Sequence, residues 1–416
     1  MISFMLTRVV TMVNIQISPS ASSQFEPTIA VNWLNPSVMV VVAVDFRAGP
    51  PNIGLYKSID AGATWSTVLL PLPVGFAGIE APHIDYIFPN TFVVAAHAFD
   101  ADGLSGSIVS YISNDNASSF GAPVIVNQGF GQFVNDDQVV VISDKAGSSP
   151  FFGNIYTGYT HDYNTQFIPG NTIFFNRSQD GGNSYERPLL LSSVNVFEEF
   201  PGIAITLNGI LIVGWITQPP GTSEFIVRIS QDGGSTFAAQ TIITSVVVVP
   251  SPLPGYQFRC LTYPSLAADI SNAPASRGNV YAVWQDYREG YSDIFLSIST
   301  DFGQTWGAPK PIANSPVGSQ NFFPAITVSP TDGAVFVSYY TNRVSPLNLD
   351  VFLATSRDGG TTFINTRITT TSFSVAGLQV IGDYIGNAIV PQTGRLVTAW
   401  TDTRTGTENI WFGDNQ

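Results

Sequence analysis

Lysine is nearly missing from this chain: Lys57, Lys145 and Lys310 are the three in 416 residues. Phosphate binding relies on clustered Lys and Arg. With 16 bases against 30 acids, a formal net charge of −14, the composition excludes nucleic acid and acidic lipid surfaces as partners. Cysteine is scarcer still. Cys260 stands alone, which excludes an internal disulfide framework and any cysteine-based zinc site. Charged residues of both signs make up 11% of the chain, well under the roughly 25% of an ordinary globular protein. Long apolar runs are absent too. Val38 to Val44 and Val246 to Val249 are strand-sized, far short of the ~18 residues a membrane span needs. Met1 to Gln16 is mildly apolar, but it lacks the basic start, long apolar run and small-residue cleavage site of a signal peptide.

What is present is hydrophobic and repetitive. Hydrophobic residues make up 44% and aromatics 12%, which excludes disorder. Length alone, at ~150 residues per domain, would allow two or three domains. One phrase recurs, Ser-x-Asp-x-Gly-x-Thr-aromatic. It stands at Ser58 to Trp65 and Ser299 to Trp306, with further copies at Ser178 to Tyr185, Ser230 to Phe237 and Ser356 to Phe363. A degenerate copy, Ser113 to Phe120, has Ala117 in place of the glycine. The aspartates Asp60, Asp115, Asp180, Asp232, Asp301 and Asp358 are separated by 55, 65, 52, 69 and 57 residues. A period near 60 holds about four short strands with turns.

Each copy sits in a larger unit. A Pro-x-Ile-Ala-like phrase lies upstream, as in Pro27 to Ala30, Pro201 to Ala204 and Pro264 to Ala267. A β-branched and aromatic run such as Val280 to Trp284 follows, then a third run such as Asp293 to Ile298. Short, apolar, turn-bounded runs at regular spacing are the all-β signal. Val139 to Ile142 and Ile381 to Val390 raise the number of first-strand phrases to seven, and the last unit ends one strand short. The expected fold is therefore all-β: a seven-bladed β-propeller of four-stranded antiparallel blades, one domain over residues 1–416. Residues 8–18 are expected to complete the last blade, because an open ring leaves two bare sheet edges. A six-bladed ring with an incomplete unit packed on it is the alternative.

The recurring phrase is the Asp-box, and the chain resembles the Asp-box (BNR-repeat) propellers of the sialidase superfamily over nearly its whole length. The physics of the motif is local: the carboxylate accepts backbone N–H groups of its own turn, and glycine tolerates positive φ. The six aspartates are therefore read as structural. In the resembled family the turn joins the third and fourth strands, opposite the usual ligand face. True sialidases grip a carboxylate with three arginines, the first in a Phe/Tyr-Arg-Ile-Pro phrase. Here Phe25-Glu26-Pro27 places a carboxylate where a cation is needed, so the resemblance does not extend to sialidase activity. Family resemblance also implies an extracellular or cell-surface location.

A second repeated pair is Asp-x-Arg, in Asp45/Arg47, Asp286/Arg288 and Asp402/Arg404. Two readings stand: an arginine cluster that binds an anionic sugar bidentately, or a brace repeated in each blade. On the opposite face from the Asp-boxes, residues at the first-strand prolines should crowd the channel mouth. There the chain offers Glu26, Glu80, Asp136, Asp137, Glu198, Glu199 and Asp383, with Tyr263, Phe322, Phe323 and Arg259 across from them. Aromatic rings stack on apolar sugar faces, and two carboxyls ~5–9.5 Å apart can serve as acid and base. Glu26, Asp136, Glu198 and Asp383 are the catalytic candidates. Arg47, Arg259, Tyr263, Arg288, Phe323 and Arg404 are the ligand-binding candidates. The alternative is that these acids merely solvate the mouth.

No cofactor is required, although crowded carboxylates could hold Ca²⁺. Of the three histidines, His83, His97 and His161, His83 would suit a lyase-type site. Tyr159 to Gly170 should enlarge a loop, and Val246 to Gln257 a connection between blades; both fall on the expected ligand face, where specificity concentrates. Three functions remain open: a glycan-binding module, a glycoside hydrolase or polysaccharide lyase, or a self-assembling coat component.

Overall fold

The computed structural model describes residues 12–19, 21–101, 103, 105–129, 134–165, 168–193, 197–218, 221–273 and 276–414. Regular structure among them is entirely β-strand, and no helix is long and apolar enough to cross a membrane. The strands form six sheets: four of four strands, one of five and one of eight. The eight-stranded sheet consists of two antiparallel runs of four, joined where Asn135 pairs with Gly106 in parallel.

Burial falls along each sheet. In the sheet of Gln24–Val31, Met39–Asp45, Asn52–Ser58 and Ser66–Leu69, the second strand is buried throughout and the fourth is largely exposed. Val280–Asp286 and Val335–Thr341 are buried throughout as well. Such strands need apolar residues on both faces, which is why they read as continuous aliphatic and aromatic runs. Hydrophobic clusters lie between consecutive groups of strands. Val40 and Val42 pack with Tyr86 and Val94, and Trp215 with Tyr156 and Phe175. Val397 and Phe412, near the end of the chain, pack with Ile29 and Val41 near its start.

The two ends also pair. Val13–Gln16 lies antiparallel to Asn409–Asp414, in register from Val13↔Asp414 to Gln16↔Trp411. Asn14 donates to the Ile368 carbonyl at 3.0 Å and accepts from Thr370 N–H at 2.7 Å. Of the stretch 8–18, residues 8–11 lie outside the described residues.

The six repeated turns share one hydrogen-bond pattern. In the first, Ser58 Oγ donates to Asp60 Oδ1 at 2.8 Å and accepts from Gly62 N–H at 2.8 Å. Asp60 also accepts from Thr64 N–H at 2.9 Å and Thr64 Oγ1 at 2.6 Å. These donors hold Asp60, Asp115 and Asp232 down at about 2. Gly62 has φ +93°, and a Cβ there would lie 2.7 Å from the Phe412 ring. The degenerate turn keeps the geometry with Ala117 at φ 55°.

Five inner strands carry a break in register where they begin: Phe25/Thr28, Glu80/His83, Asp137/Val140, Glu199/Gly202 and Phe322/Ala325. Within each break one non-glycine residue has positive φ: Glu26 59°, Ala81 49°, Gln138 55°, Phe200 55° and Phe323 53°. Proline follows in four of the five, at 27, 82, 201 and 324. Proline has no N–H to give to the ladder, so pairing is interrupted there and the extra residue forms a β-bulge. Bulges re-aim side chains, and here they occur where the acids gather.

The expected loop at Tyr159 to Gly170 is instead a hairpin. Ile155–Thr165 and Ile168–Ser178 stay paired from Ile155↔Ser178 to Thr165↔Ile168. Its Tyr, Thr and Ile residues favour extended backbone, so the strands lengthen where a loop was expected. The connection after Val246 is irregular, as expected, and is anchored inward by Leu253 and Phe258.

Candidate functional site

The inner-strand bulges bring Glu26, Glu80, Asp137 and Glu199 into one electrostatic cluster, and Asp383 joins it from the last sheet's approach. Asp162 is added by the long hairpin, His97 by the strand Thr91–Phe99, and Arg259 by the connection 247–263. Glu26 is 6% exposed. Burial first, then Asp383, Glu80 and Asp137, raises its carboxyl well above the usual range, with Arg259 opposing. Asp383 is raised by burial, although Arg259 binds both its oxygens, Nε to Oδ1 at 3.2 Å and a terminal nitrogen to Oδ2.

His97 works in the opposite direction. Its Nδ1 lies 3.3 Å from Asp137 Oδ1 and 3.5 Å from Glu80 Oε1, and its Nε2 is 3.2 Å from Asn135 Oδ1. Burial would lower its pKa, but Asp137 and Glu80 outweigh that and raise it to about 10. Burial pushes Asp137 up, yet the imidazolium holds it below the ordinary value. Asp162 is pushed up to about 7 by burial, then by Asp137 and Glu199. Glu199 accepts from Asn171 at 2.6 Å and is raised by burial and by Asp137. The cluster thus holds carboxyls pushed above their ordinary range beside one, Asp137, held below it.

Below this mouth lies a cavity of ≈ 320 Å³ lined by inner strands. Its wall is mostly aliphatic backbone edge, with Lys145 paired to Asp85 and 5.8 Å from the Trp33 ring centroid. His83 also lines it. His83 Nδ1 accepts the Val141 N–H at 3.4 Å, and burial lowers its pKa to about 4. It is a neutral stitch between neighbouring inner strands, as is Thr28, whose Oγ1 accepts from Ile84 N–H at 3.1 Å. Among the described residues, no three His, Cys, Asp or Glu side chains converge to hold a metal ion.

No protein-family profile and no curated protein sequence matches the chain. Solved structures do resemble it. An α-L-arabinanase of Penicillium chrysogenum, complexed with arabinobiose, matches 79% of this chain and 94% of its own, with 16% identity and a TM-score of 0.55. The GH93 α-L-arabinofuranosidase of Fusarium graminearum matches 97% of each chain, with 11% identity and a TM-score of 0.54. A Hadza microbial sialidase matches 91% of this chain and 74% of its own, with 12% identity and a TM-score of 0.53. The fold is that of the sialidase-like β-propellers.

On this propeller the candidate residues divide into two groups. Glu26, Asp383 and Arg259 meet at the mouth with Glu80, Asp137 and Glu199. Asp136 is fully buried, bound to His161 Nδ1 and to Asn127 Nδ2 at 2.6 Å. Glu198, 3% exposed, is raised by burial, with hydrogen bonds from Ser192 and Trp215 opposing. Both precede a mouth acid by one position, and successive strand residues face opposite ways.

Arg47, Arg288 and Arg404 each fold back on their own aspartate. Arg47 Nε is 2.8 Å from Asp45 Oδ2, and the other two pairs close at 2.5 Å. Arg288 then covers the Phe295 ring at 4.7 Å and Arg404 the Trp411 ring at 4.2 Å. Arg367 makes the same contact with Asp350, without the Asp-x-Arg spacing. Phe322 and Phe323 have no exposed surface. Phe323 stacks on Tyr263 at 5.7 Å, and Tyr263 on Phe200 at 4.9 Å, so these rings form a packed floor.

His97, Asp162 and Tyr384 were not singled out for the mouth by sequence. Tyr384 donates to the Pro82 carbonyl at 2.9 Å, and burial, then Glu26 and Asp383, push its hydroxyl upward. In the ladder His97 sits directly across from Glu80, a pairing that exists only once the strands are in register.

Proposed function

We propose that this propeller is a glycoside hydrolase acting at the acid-lined mouth, with Glu26 as general acid and Asp137 as the ionised partner. The observation that carries this reading is one cluster in which burial and neighbouring acids raise the Glu26 carboxyl well above its usual range, while His97, with Nδ1 3.3 Å from Asp137 Oδ1, holds Asp137 below its own. Carboxyls whose environments push their pKa values apart are the pattern of acid and nucleophile or base. In the reaction, the Glu26 carboxyl gives its proton to the glycosidic oxygen as the C–O bond breaks. The Asp137 carboxylate either attacks the anomeric carbon or takes a proton from the attacking water. Arg259 restrains Asp383, and His97 keeps Asp137 charged. Carbohydrate-active proteins among the structural neighbours agree with the ligand class.

We read the ring as seven-bladed, a single domain closed by the strand Val13–Gln16. Seven hydrophobic clusters between successive strand groups support this, the last returning to the first. The test of function is a panel of aryl glycosides and plant and bacterial oligosaccharides. Glu26→Gln and Asp137→Asn should each lower kcat by about 10³-fold or more, on the scale of a lost acid or nucleophile. A glycan that binds but is never cleaved by the unaltered protein would replace this reading with a binding module. The Arg259–Asp383 pair, which occupies one of the acids, favours that second reading.

A further inference from the structure

The last unit of the chain enters its inner strand, Gly386–Val390, through Ile381-Gly382-Asp383-Tyr384-Ile385. Its two isoleucines are buried in one cluster with Phe322 and Trp400. Between them the backbone lies flat on the first inner strand, Gln24–Val31. A Cβ on Gly382 would stand 2.8 Å from both the backbone nitrogen and Cγ of Glu26, and one on Gly386 2.8 Å from Thr28 Cα. Both distances are well inside the ~3.5–4.0 Å at which such atoms rest. Tyr384 reaches the next unit, where its hydroxyl donates to the Pro82 carbonyl at 2.9 Å. Asp383, between these contacts, is thereby held beside Glu26, on which it acts more strongly than any other charge.

We propose that Gly382 is a positioning residue for the acid: bare of a side chain, it lets this segment close on Glu26 and fixes how near the Asp383 carboxyl stands. The inference rests on the hydrolase reading above, in which Glu26 gives the proton. Neither side of the contact yields freely. Glu26 sits at φ 59° within its bulge, with the rigid ring of Pro27 behind it, and the segment is pinned by Ile381, Ile385 and Tyr384. Alanine at 382 must therefore lift one off the other and admit water. Burial and then Asp383 are the largest influences raising the Glu26 carboxyl, followed by Glu80 and Asp137, with Arg259 opposing. Lifting weakens the first two together, so the carboxyl titrates lower. Tyr384, the other titratable group beside it, is pushed well above its ordinary range and stays neutral throughout. Gly377 supplies a matched control. It lies in the same connection at the same φ of +83°, with nothing within 4 Å of a Cβ.

The test is a carbon-13 NMR titration of the intact protein labelled at glutamate Cδ. The chain has eight glutamates, and Glu26→Gln identifies the signal. Gly382→Ala should lower its midpoint by about one pH unit or more, the scale of burial and a like charge withdrawn from a carboxyl. Gly377→Ala carries the same backbone strain, so it should lower Tm and leave the midpoint alone. An unshifted midpoint in Gly382→Ala, or an equal shift in Gly377→Ala, overturns the inference. If Gly382→Ala does not fold, Tyr384→Phe decides: it frees the segment from Pro82 without adding an atom there, and an unshifted midpoint overturns the inference equally. These measurements need no substrate. On any aryl glycoside the protein cleaves, Gly382→Ala should also move the alkaline limb of kcat/KM to lower pH, where the free enzyme's acid is read, with KM unchanged. A limb that stays in place overturns this inference and leaves the hydrolase reading standing. If no glycoside is cleaved, the hydrolase reading falls, and the titration still decides the role of Gly382 in the contact.

Discussion

A single imidazole shows how this site stores electrostatic free energy. His97 is raised to about 10 in the fold, against roughly 6.5 unfolded. A raised pKa means the folded form holds its proton more tightly. The resulting stability is fully present below pH ~6.5 and is lost as pH rises through about 10, on the order of 5 kcal/mol in all. Urea unfolding at pH 6 and pH 9.5 should show that decline, and His97→Gln should flatten it. Asp162 shifts in the same direction, so stability also falls as pH rises, but as a growing penalty rather than a lost gain. Its carboxyl is raised to about 7, so ionising it in the fold is unfavourable, and the penalty accrues from pH ~4 upward. Asp162→Asn should therefore be more stable than the parent protein above pH 7 and no more stable below pH 4. Equal stability at pH 8 would refute the assigned environment.

At the scale of elements, the turn and the bulge answer the same requirement in opposite ways. In the repeated turns the chain uses glycine for positive φ, and a buried serine collects the loose N–H groups. Ser299 Oγ accepts from Gly303 N–H at 2.8 Å and donates to Asp301 at 2.7 Å. Ser299→Ala leaves that N–H buried without a partner and should cost ~1–3 kcal/mol, with ligand affinity unchanged because the turn lies opposite the mouth. At the bulges the chain uses residues with side chains, and strain follows. Ala81 at φ 49° sits in a region that disfavours a Cβ, so Ala81→Gly should stabilise by ~0.5–1 kcal/mol despite its entropy cost. A melting temperature below that of the parent would show that the bulge is held by something other than backbone geometry. The repeat period and the turns were legible in the sequence because they are local. The bulges were not, since a break in register belongs to two strands at once. That is why Asp136 and Asp137 could not be told apart beforehand, and likewise Glu198 and Glu199.

Across the whole molecule, the contact between the two ends of the chain is the feature most open to test. Removing residues through Gln16 strips the Asn409–Asp414 edge and uncovers Ile17, 3% exposed. Four paired residues, at about 1 kcal/mol per ladder hydrogen bond, set the cost on the order of 4 kcal/mol. The truncated protein should also aggregate, as bare sheet edges do. An unchanged unfolding midpoint would remove the strand from any closing role.

The amino-acid sequence determined the all-β architecture, the repeating unit and the acidity of one face, because each follows from spacing and composition along the chain. Which acids share a site was decided only by the tertiary structure. Asp137 gains its charge from His97 on another strand, Asp383 gains Arg259 from 124 residues away, and the Asp-x-Arg arginines are taken up by their own blades. Electrostatic interactions act through space at a few ångströms, and no pattern along the chain records which strands come that close.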